Sequence, residues 1–330
     1  MRISPTDPRL AWPGAISLHR TEAWVQPWRL PFDDLALFPP DALRERAAMP
    51  AGVRLAFRTD SPFVAGEVEP RAESSPIDCV CDGVVVGSVE LADRSAFRFD
   101  GLPAGTKTLE LWLPQFGEFR LRGLEVADGA SFEAAPDDPR PRWVTYGSSI
   151  TQCRTAASPT QTWPAIVARQ QGLNLTCLGY GGQCHLDPLV ARMIRNLDAD
   201  YLSVCAGINI YGAASLGPRA FGPALIGTIA TIRERHRETP FAVVSPIYSP
   251  PRETTPNAVG FTLQGMRVEV AAVVDALRAR GDFKLHYVDG LDVFGPELAE
   301  RLPDELHPDA EGYRIMGANF VREVAKPLFT

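Results

Sequence analysis

Asp304-Glu305-Leu306-His307, close to the C-terminus, sets a carboxylate three residues before a histidine, and far upstream an apolar run Trp143 to Tyr146 leads into Gly147-Ser148-Ser149. A serine hydroxyl is a poor nucleophile near neutral pH. It attacks a carbonyl only when a histidine takes its proton and a third group holds that histidine in the right tautomer. Asp304 and His307 could supply both partners of Ser149 from one turn. Acyl transfer also needs donors aimed at the developing oxyanion, and glycine N–H groups and an asparagine amide are suitable types. Gly179-Tyr180-Gly181-Gly182 follows the apolar run Leu173 to Leu178, and Ala206-Gly207-Ile208-Asn209 follows Tyr201 to Cys205.

Taken singly, each piece has a plainer reading. Ser149 could cap a helix or sit in a turn, His307 could be a solvated loop histidine, and Asn209 could be a turn residue. Gly182 could simply permit a tight backbone, as could Gly179 and Gly181. Taken in order, Gly-x-Ser, Gly, Gly-x-Asn and Asp-x-x-His resemble the SGNH (GDSL) hydrolase family over roughly residues 141 to 330. The resemblance implies that Ser149 is the nucleophile, His307 the base and Asp304 its orienter. It implies an oxyanion hole made by the Ser149 and Gly182 N–H groups with the Asn209 amide. The chain departs from the family pattern at Ser148, where an aspartate is usual, at Ile210, which often is aspartate, and at Cys153, commonly glycine. The run Tyr146 to Gln152 with Leu186-Asp187-Pro188 is similar to a two-domain bacterial branch of the family that carries a β-rich N-terminal domain.

The elements that must position these residues follow from hydrophobic periodicity. Residues 1–135 alternate with period two at Val53-Leu55-Phe57, Phe97-Phe99, Leu109-Leu111-Leu113 and Leu121 to Val126, punctuated by Asp82-Gly83, Asp100-Gly101 and Pro103 to Gly105. That is the pattern of an antiparallel sandwich or jelly roll, with one short helix expected over Asp41 to Ala48. A proline-rich linker is expected at 136–141. From 142 to 330, short apolar strands (Trp143 to Tyr146, Leu173 to Leu178, Tyr201 to Cys205, Phe241 to Val244, Lys284 to Val288) alternate with helical segments. The helices are expected near Thr162 to Gln170, Pro188 to Asn196, Gly222 to Arg237, Gln264 to Arg280 and Ala310 to Ala325. Alternation of this kind means a parallel sheet flanked by helices, of the flavodoxin-like type that the resemblance implies. Active groups collect at the carboxyl ends of its strands, where Ser149, Gly182 and Asn209 all fall.

Composition excludes several other readings. Lys and Arg number 33 against 40 Asp and Glu, a net charge of −7, and no basic block offers itself to phosphates, so nucleic acid is not an expected partner. No stretch approaches the roughly 20 apolar residues of a membrane span, and the N-terminus lacks a basic region followed by an apolar run, so a cytoplasmic location is the default. The six cysteines are too few for a disulfide framework and are expected as reduced core thiols. Gly179 to Cys184 lacks the third glycine of a dinucleotide fingerprint. Cys184 and His185 are adjacent and would point apart, so neither a metal nor another cofactor is expected. The α/β-hydrolase elbow is absent, because Thr151 stands at its second glycine.

The expectation is therefore a serine esterase acting through an acyl-serine on short-chain, acetyl-type esters of a carbohydrate or small metabolite. An acyltransferase or thioesterase using the same serine is the alternative, and a catalytically silent binding protein is a third. Neither the native substrate nor the oligomeric state is legible. Trp12, Trp24 and Trp28 are expected in packing more than in ligand contact, with Arg29, Arg142 and Gln152 as further suggestive residues.

Overall fold

The structure, a computed structural model, describes residues 1–329. Its first part holds two antiparallel sheets. One joins Ser17–Arg20, Val25–Trp28, Leu121–Val126, Phe63–Val68 and Ala96–Asp100 in that order, with Arg2–Ile3 on Leu121–Val126. The other runs Phe132–Glu133, Arg54–Thr59, Lys107–Trp112, Ile77–Cys81 and Val84–Val89. Alternation explains why they stack. In Ala96–Asp100 the phenylalanines Phe97 and Phe99 are buried while their neighbours are exposed, and they join Val64, Leu109, Leu111, Leu121 and Leu124 in one apolar core. The helix Asp41–Ala47 lies where the sequence puts it, preceded by a 3-10 turn at Phe32–Leu37.

The second part is a parallel sheet in the order Asn174–Gly179, Arg142–Gly147, Tyr201–Cys205, Phe241–Val244, Leu285–Val288. Both faces are covered, so its strands are mostly apolar, with the buried Ser203 hydroxyl donating to Thr145 Oγ1, and alternate residues enter opposite cores. Val144, Tyr146, Leu178, Leu202 and Val204 face one helical layer. Trp143, Leu175, Cys177, Ala242 and Val244 face the other. Gly147 pairs with Gly179 on one side and with Cys205 on the other. Three neighbouring strands thus end level, and the loops that leave them start from one edge.

Two helices differ from expectation. The one anticipated over Gly222 to Arg237 begins at Pro218 and ends at Arg233. Proline at the first helical position gives up no intrahelical bond, and the Arg233 guanidinium then donates to the His236 and Thr239 carbonyls at 2.5 and 2.6 Å, turning the chain away. The last helix is α-helical only over Ala310–Phe320, and Val321–Ala325 widens into a π turn.

The first part packs into both cores of the second. Leu30, Phe38, Leu43 and Ala47 are buried with the residues of one layer, and Ala51, Val80 and Trp112 with those of the other. Each large apolar side chain so buried contributes about 1.5–3 kcal/mol. Polar contacts bind the same junction. The fully buried Asp78 carboxylate accepts from Ser158 Oγ, Thr160 Oγ1 and Thr160 N at 2.6, 2.6 and 2.9 Å. Arg54 donates to Leu175 O at 2.8 Å. All six cysteines are free thiols.

Candidate active site

Ser149 opens a four-residue helix, Ser149–Gln152, directly after the strand Arg142–Gly147. Ser148 is its N-cap, and the Ser148 hydroxyl accepts from Ile150 N at 3.2 Å. This leaves the Ser149 hydroxyl free to face outward, and its Oγ lies 2.8 Å from His307 Nε2. The other ring nitrogen, His307 Nδ1, lies 2.6 Å from Asp304 Oδ2. A carboxylate only accepts, so Nδ1 carries the proton and Nε2 presents a lone pair to the serine.

The turn carrying Asp304 and His307 is held by its own backbone. Asp304 Oδ1 accepts from His307 N at 2.6 Å and Leu306 N at 3.1 Å. Glu305 between them adopts a left-handed conformation at φ 60, and its carbonyl accepts from Ser249 Oγ at 2.6 Å. Thr155 Oγ1 ties down the Pro308 carbonyl at 2.8 Å. Partial burial opposes ionisation of Asp304, and the hydrogen bonds from His307 and Leu306 outweigh it, holding the carboxyl below its usual range.

Three residues that line one cavity, Ser149, Gly182 and Asn209, carry candidate donors. Ser149 N is the first N–H of its helix and has no intrahelical partner. Gly182, at φ 74, is in a region that disfavours side chains, and its N–H meets no acceptor among the described residues. The Asn209 side chain is oriented by Cys184 N, which donates to Asn209 Oδ1 at 3.0 Å. That fixes the oxygen inward and leaves the amide NH2 for the cavity. The loop between is shaped by Gln152, whose Oε1 accepts from Gly181 N at 2.8 Å and whose Nε2 donates to Gln115 O at 3.1 Å. His185 supports it from behind, with Nε2 donating to Gly182 O at 3.0 Å and Nδ1 accepting from Ser215 Oγ at 2.8 Å. Gly179 must be glycine, because a Cβ there would come within 2.4 Å of Gln152 N.

A cavity of about 610 Å³ opens over these groups, lined by Ser149, Gly182, Asn209, Asp304 and His307 and walled by Arg46 and Phe116 from the first part of the chain. Sequence reasoning missed both wall residues. Arg46 lies on a helix and Phe116 in a loop more than thirty residues before the serine, with no motif around either. Gln152, only suggestive in the sequence, proves to hold the glycine loop. Arg142 lies apart from the cavity, paired with Asp198 and Asp200 on the surface.

Other chemistry finds less support in the geometry. Cys184 is buried against the core while His185 turns to Gly182 and Ser215, so the pair does not converge. Burial pushes the thiols of Cys153, Cys177, Cys184 and Cys205 up, which disfavours a thiolate nucleophile. No group of metal-binding side chains occurs among the described residues, and no helix among them is long and apolar enough to cross a membrane.

Comparison with known proteins agrees with this architecture. Residues 10–122 match the family of the SsfX3 N-terminal domain, and residues 145–315 match the GDSL-like lipase/acylhydrolase family. The structure superposes with a TM-score of 0.90 on a salicylyl-acyltransferase, SsfX3, from a tetracycline biosynthetic pathway, 37% identical over 99% of this chain and 97% of that one. A putative GDSL-like lipase from Bacteroides ovatus is similar in fold at 19% identity, with the same coverages and a TM-score of 0.81. A family two carbohydrate esterase from Cellvibrio japonicus shares the fold at 13% identity and a TM-score of 0.67, covering 99% of this chain and 97% of that one. No curated protein sequence matches. The family model over 145–315 and the full-length relative together lead to one conclusion: the chain belongs to the GDSL-like lipase/acylhydrolase family.

Proposed function

We propose that the chain is a serine esterase that cleaves short-chain acyl esters of a carbohydrate or small metabolite through an acyl-serine. The observation that carries this reading is the chain of hydrogen bonds from Ser149 Oγ through His307 to Asp304, 2.8 and 2.6 Å long, in a cavity that Gly182 and Asn209 also line. In this reading His307 Nε2 takes the Ser149 proton as Oγ attacks the ester carbonyl. The Ser149 and Gly182 N–H groups and the Asn209 amide bind the oxyanion. His307 then protonates the departing alcohol, and water, activated by the same nitrogen, releases the acid.

A second reading is supported by the 37% identical relative, whose name is that of an acyltransferase. The same acyl-serine would then pass its acyl group to an alcohol other than water. In either case residues 1–135 act as an accessory domain that completes the cavity wall. The test is incubation with an activated acyl ester with and without candidate alcohol acceptors, followed by separation of free acid from transferred ester. Free acid as the main product in every mixture supports hydrolysis, and acceptor-dependent ester formation supports transfer. Ser149→Ala abolishes both, and full turnover by that variant overturns the whole assignment.

A further inference from the structure

We propose that the cavity beside Ser149 recognises an anionic group of its substrate, a carboxylate or phosphate, through the guanidinium of Arg46. The proposal rests on the reading of Ser149 as the acyl-accepting nucleophile and goes on to name the substrate's charge. Arg46 lines the cavity together with Ser149, Gly182 and His307. Its main chain is fixed, since Arg46 O accepts from the buried Arg29 Nη2 at 2.5 Å. Its side chain lies along the glycine loop, with Nε 3.5 Å from where a Cβ on Gly181 would stand.

The guanidinium itself is left with its donors open. One N–H meets the Met49 sulfur at 3.9 Å, and none meets an oxygen among the described residues. Its neighbour on the same helix, Arg44, by contrast pairs with Asp41, three residues before it. The Phe116 ring steadies the group from the side, with the Arg46 guanidinium 5.6 Å from the ring centroid. Arg154 covers the same ring at 3.9 Å and reaches only the exposed Glu73, at 3.1 Å.

Charge in the cavity is one-sided. Of its lining residues Asp304 alone is acidic, and both its oxygens are committed to His307 and Leu306. Two guanidiniums and no free carboxylate face the space where substrate must lie. A planar fork of open N–H groups fits a carboxylate or phosphate with two parallel hydrogen bonds. The anion could sit on the acyl group, as in a half-ester of a dicarboxylic acid, or on the leaving group, as in a phosphorylated thiol carrier.

The two sources are separated by calorimetric titration of the Ser149→Ala chain with monomethyl succinate and with coenzyme A, against neutral methyl butyrate. One anionic probe is expected to bind, with affinity reduced about tenfold or more by Arg46→Gln, the loss of one charge-assisted contact, and less by Arg46→Lys. In the chain carrying Ser149, the kcat/KM ratio of the corresponding anionic over neutral ester or thioester should fall by a similar factor in Arg46→Gln, through KM. Absence of binding by both probes, or binding that Arg46→Gln leaves intact, overturns the proposal. Arg46-dependent binding in a chain that turns over no ester or thioester supports it and overturns the nucleophile reading alone.

Discussion

The buried Arg29 guanidinium donates to the Gly179 carbonyl at 2.6 Å, two residues before the loop that carries Gly181 and Gly182. It also donates to the carbonyls of Met49, Arg46 and Cys177 at 2.6, 2.5 and 3.2 Å, and its own carbonyl accepts from Tyr180 Oη at 2.5 Å. A buried cation held by carbonyls and no carboxylate is unusual, and burial lowers its pKa. The arrangement fastens the first part of the chain to the end of the strand Asn174–Gly179.

Arg29→Met should therefore act twice. Each carbonyl left unsatisfied in the interior costs about 1–3 kcal/mol, so the melting temperature should fall by several degrees. On the proposed assignment the glycine loop also shifts, and kcat should fall more than KM rises. Thermal unfolding with steady-state kinetics on one activated ester reads both effects. A large loss of stability with unchanged kcat would mean that Arg29 joins the two parts without aligning the Gly182 donor.

Ser148 and Ser149 offer a paired test. Ser148→Ala removes the cap of the short helix, at a cost of about 0.5–2 kcal/mol, and should retain substantial turnover. Labelling by a fluorophosphonate should persist in Ser148→Ala and vanish in Ser149→Ala. The reverse pattern would move the nucleophile by one residue.

Asp304→Asn tests the tautomer. The Asn oxygen would keep the Leu306 and His307 N–H groups that Asp304 Oδ1 holds now. Its NH2 would then face Nδ1 and drive the imidazole proton to Nε2, where it cannot accept from Ser149. The expected loss in kcat is roughly 10²–10⁴ with little change in fold. In the unaltered protein the lowered carboxyl pKa means that Asp304 is ionised above the ordinary carboxylate range. Its stabilising bonds are lost only as pH falls through the lowered value. NMR of the His307 Nδ1 proton across the acid range would follow that loss, and its disappearance well above pH 5 would contradict it.

Asn209→Asp separates a donor from a scaffold. An aspartate still accepts from Cys184 N, the bond Asn209 Oδ1 makes now, so the loop keeps its anchor. It places an acceptor where the oxyanion would form. The drop in kcat should equal or exceed that of Asn209→Ala, roughly 10²–10³. Activity restored by the aspartate would show that Asn209 serves the loop alone.

The parallel sheet was legible because its buried strands, such as Tyr201–Cys205, are short apolar runs between helical periods. Several strands of the first part were not. Ile77–Cys81 is buried at every position and so shows no alternation, and Val84–Val89 turns Val84, Val85 and Val86 outward. The order of the motif blocks set Ser149, Gly182 and Asn209 each after its own strand, and the level ends of those three strands explain why their loops meet, while the Asp304–His307 turn is brought in by Thr155 and Ser249. Cys153, where the resemblance leads to an expected glycine, closes the serine helix at φ 61, a left-handed conformation that a side chain adopts only at a cost. Arg46 and Phe116 left no such trace, because contacts between distant segments have no local pattern, and Arg29 was suggestive in the sequence without its partners being legible.

The last test removes the residues before 139. The sequence expects the segment from Pro136 to Pro141 to be too short and stiff to let two domains swing, and the structure buries Arg29, Arg54, Asp78 and Gln115 against the remainder. Cutting there would expose Trp143, Cys177 and Leu178 neighbours that now lie in shared cores with Ala51, Leu43 and Ala47. It would also take Arg46 and Phe116 from the cavity and Gln115 O from Gln152. A chain starting at Pro139 should therefore aggregate, as its exposed apolar surface demands. If a solubilising fusion rescues it, it should hydrolyse small activated esters with a lowered kcat and show little preference between charged and neutral ones. Analytical gel filtration and paired kinetics measure this, and a monodisperse truncated enzyme with the kcat and selectivity of the full chain would show that residues 1–135 have no part in the site.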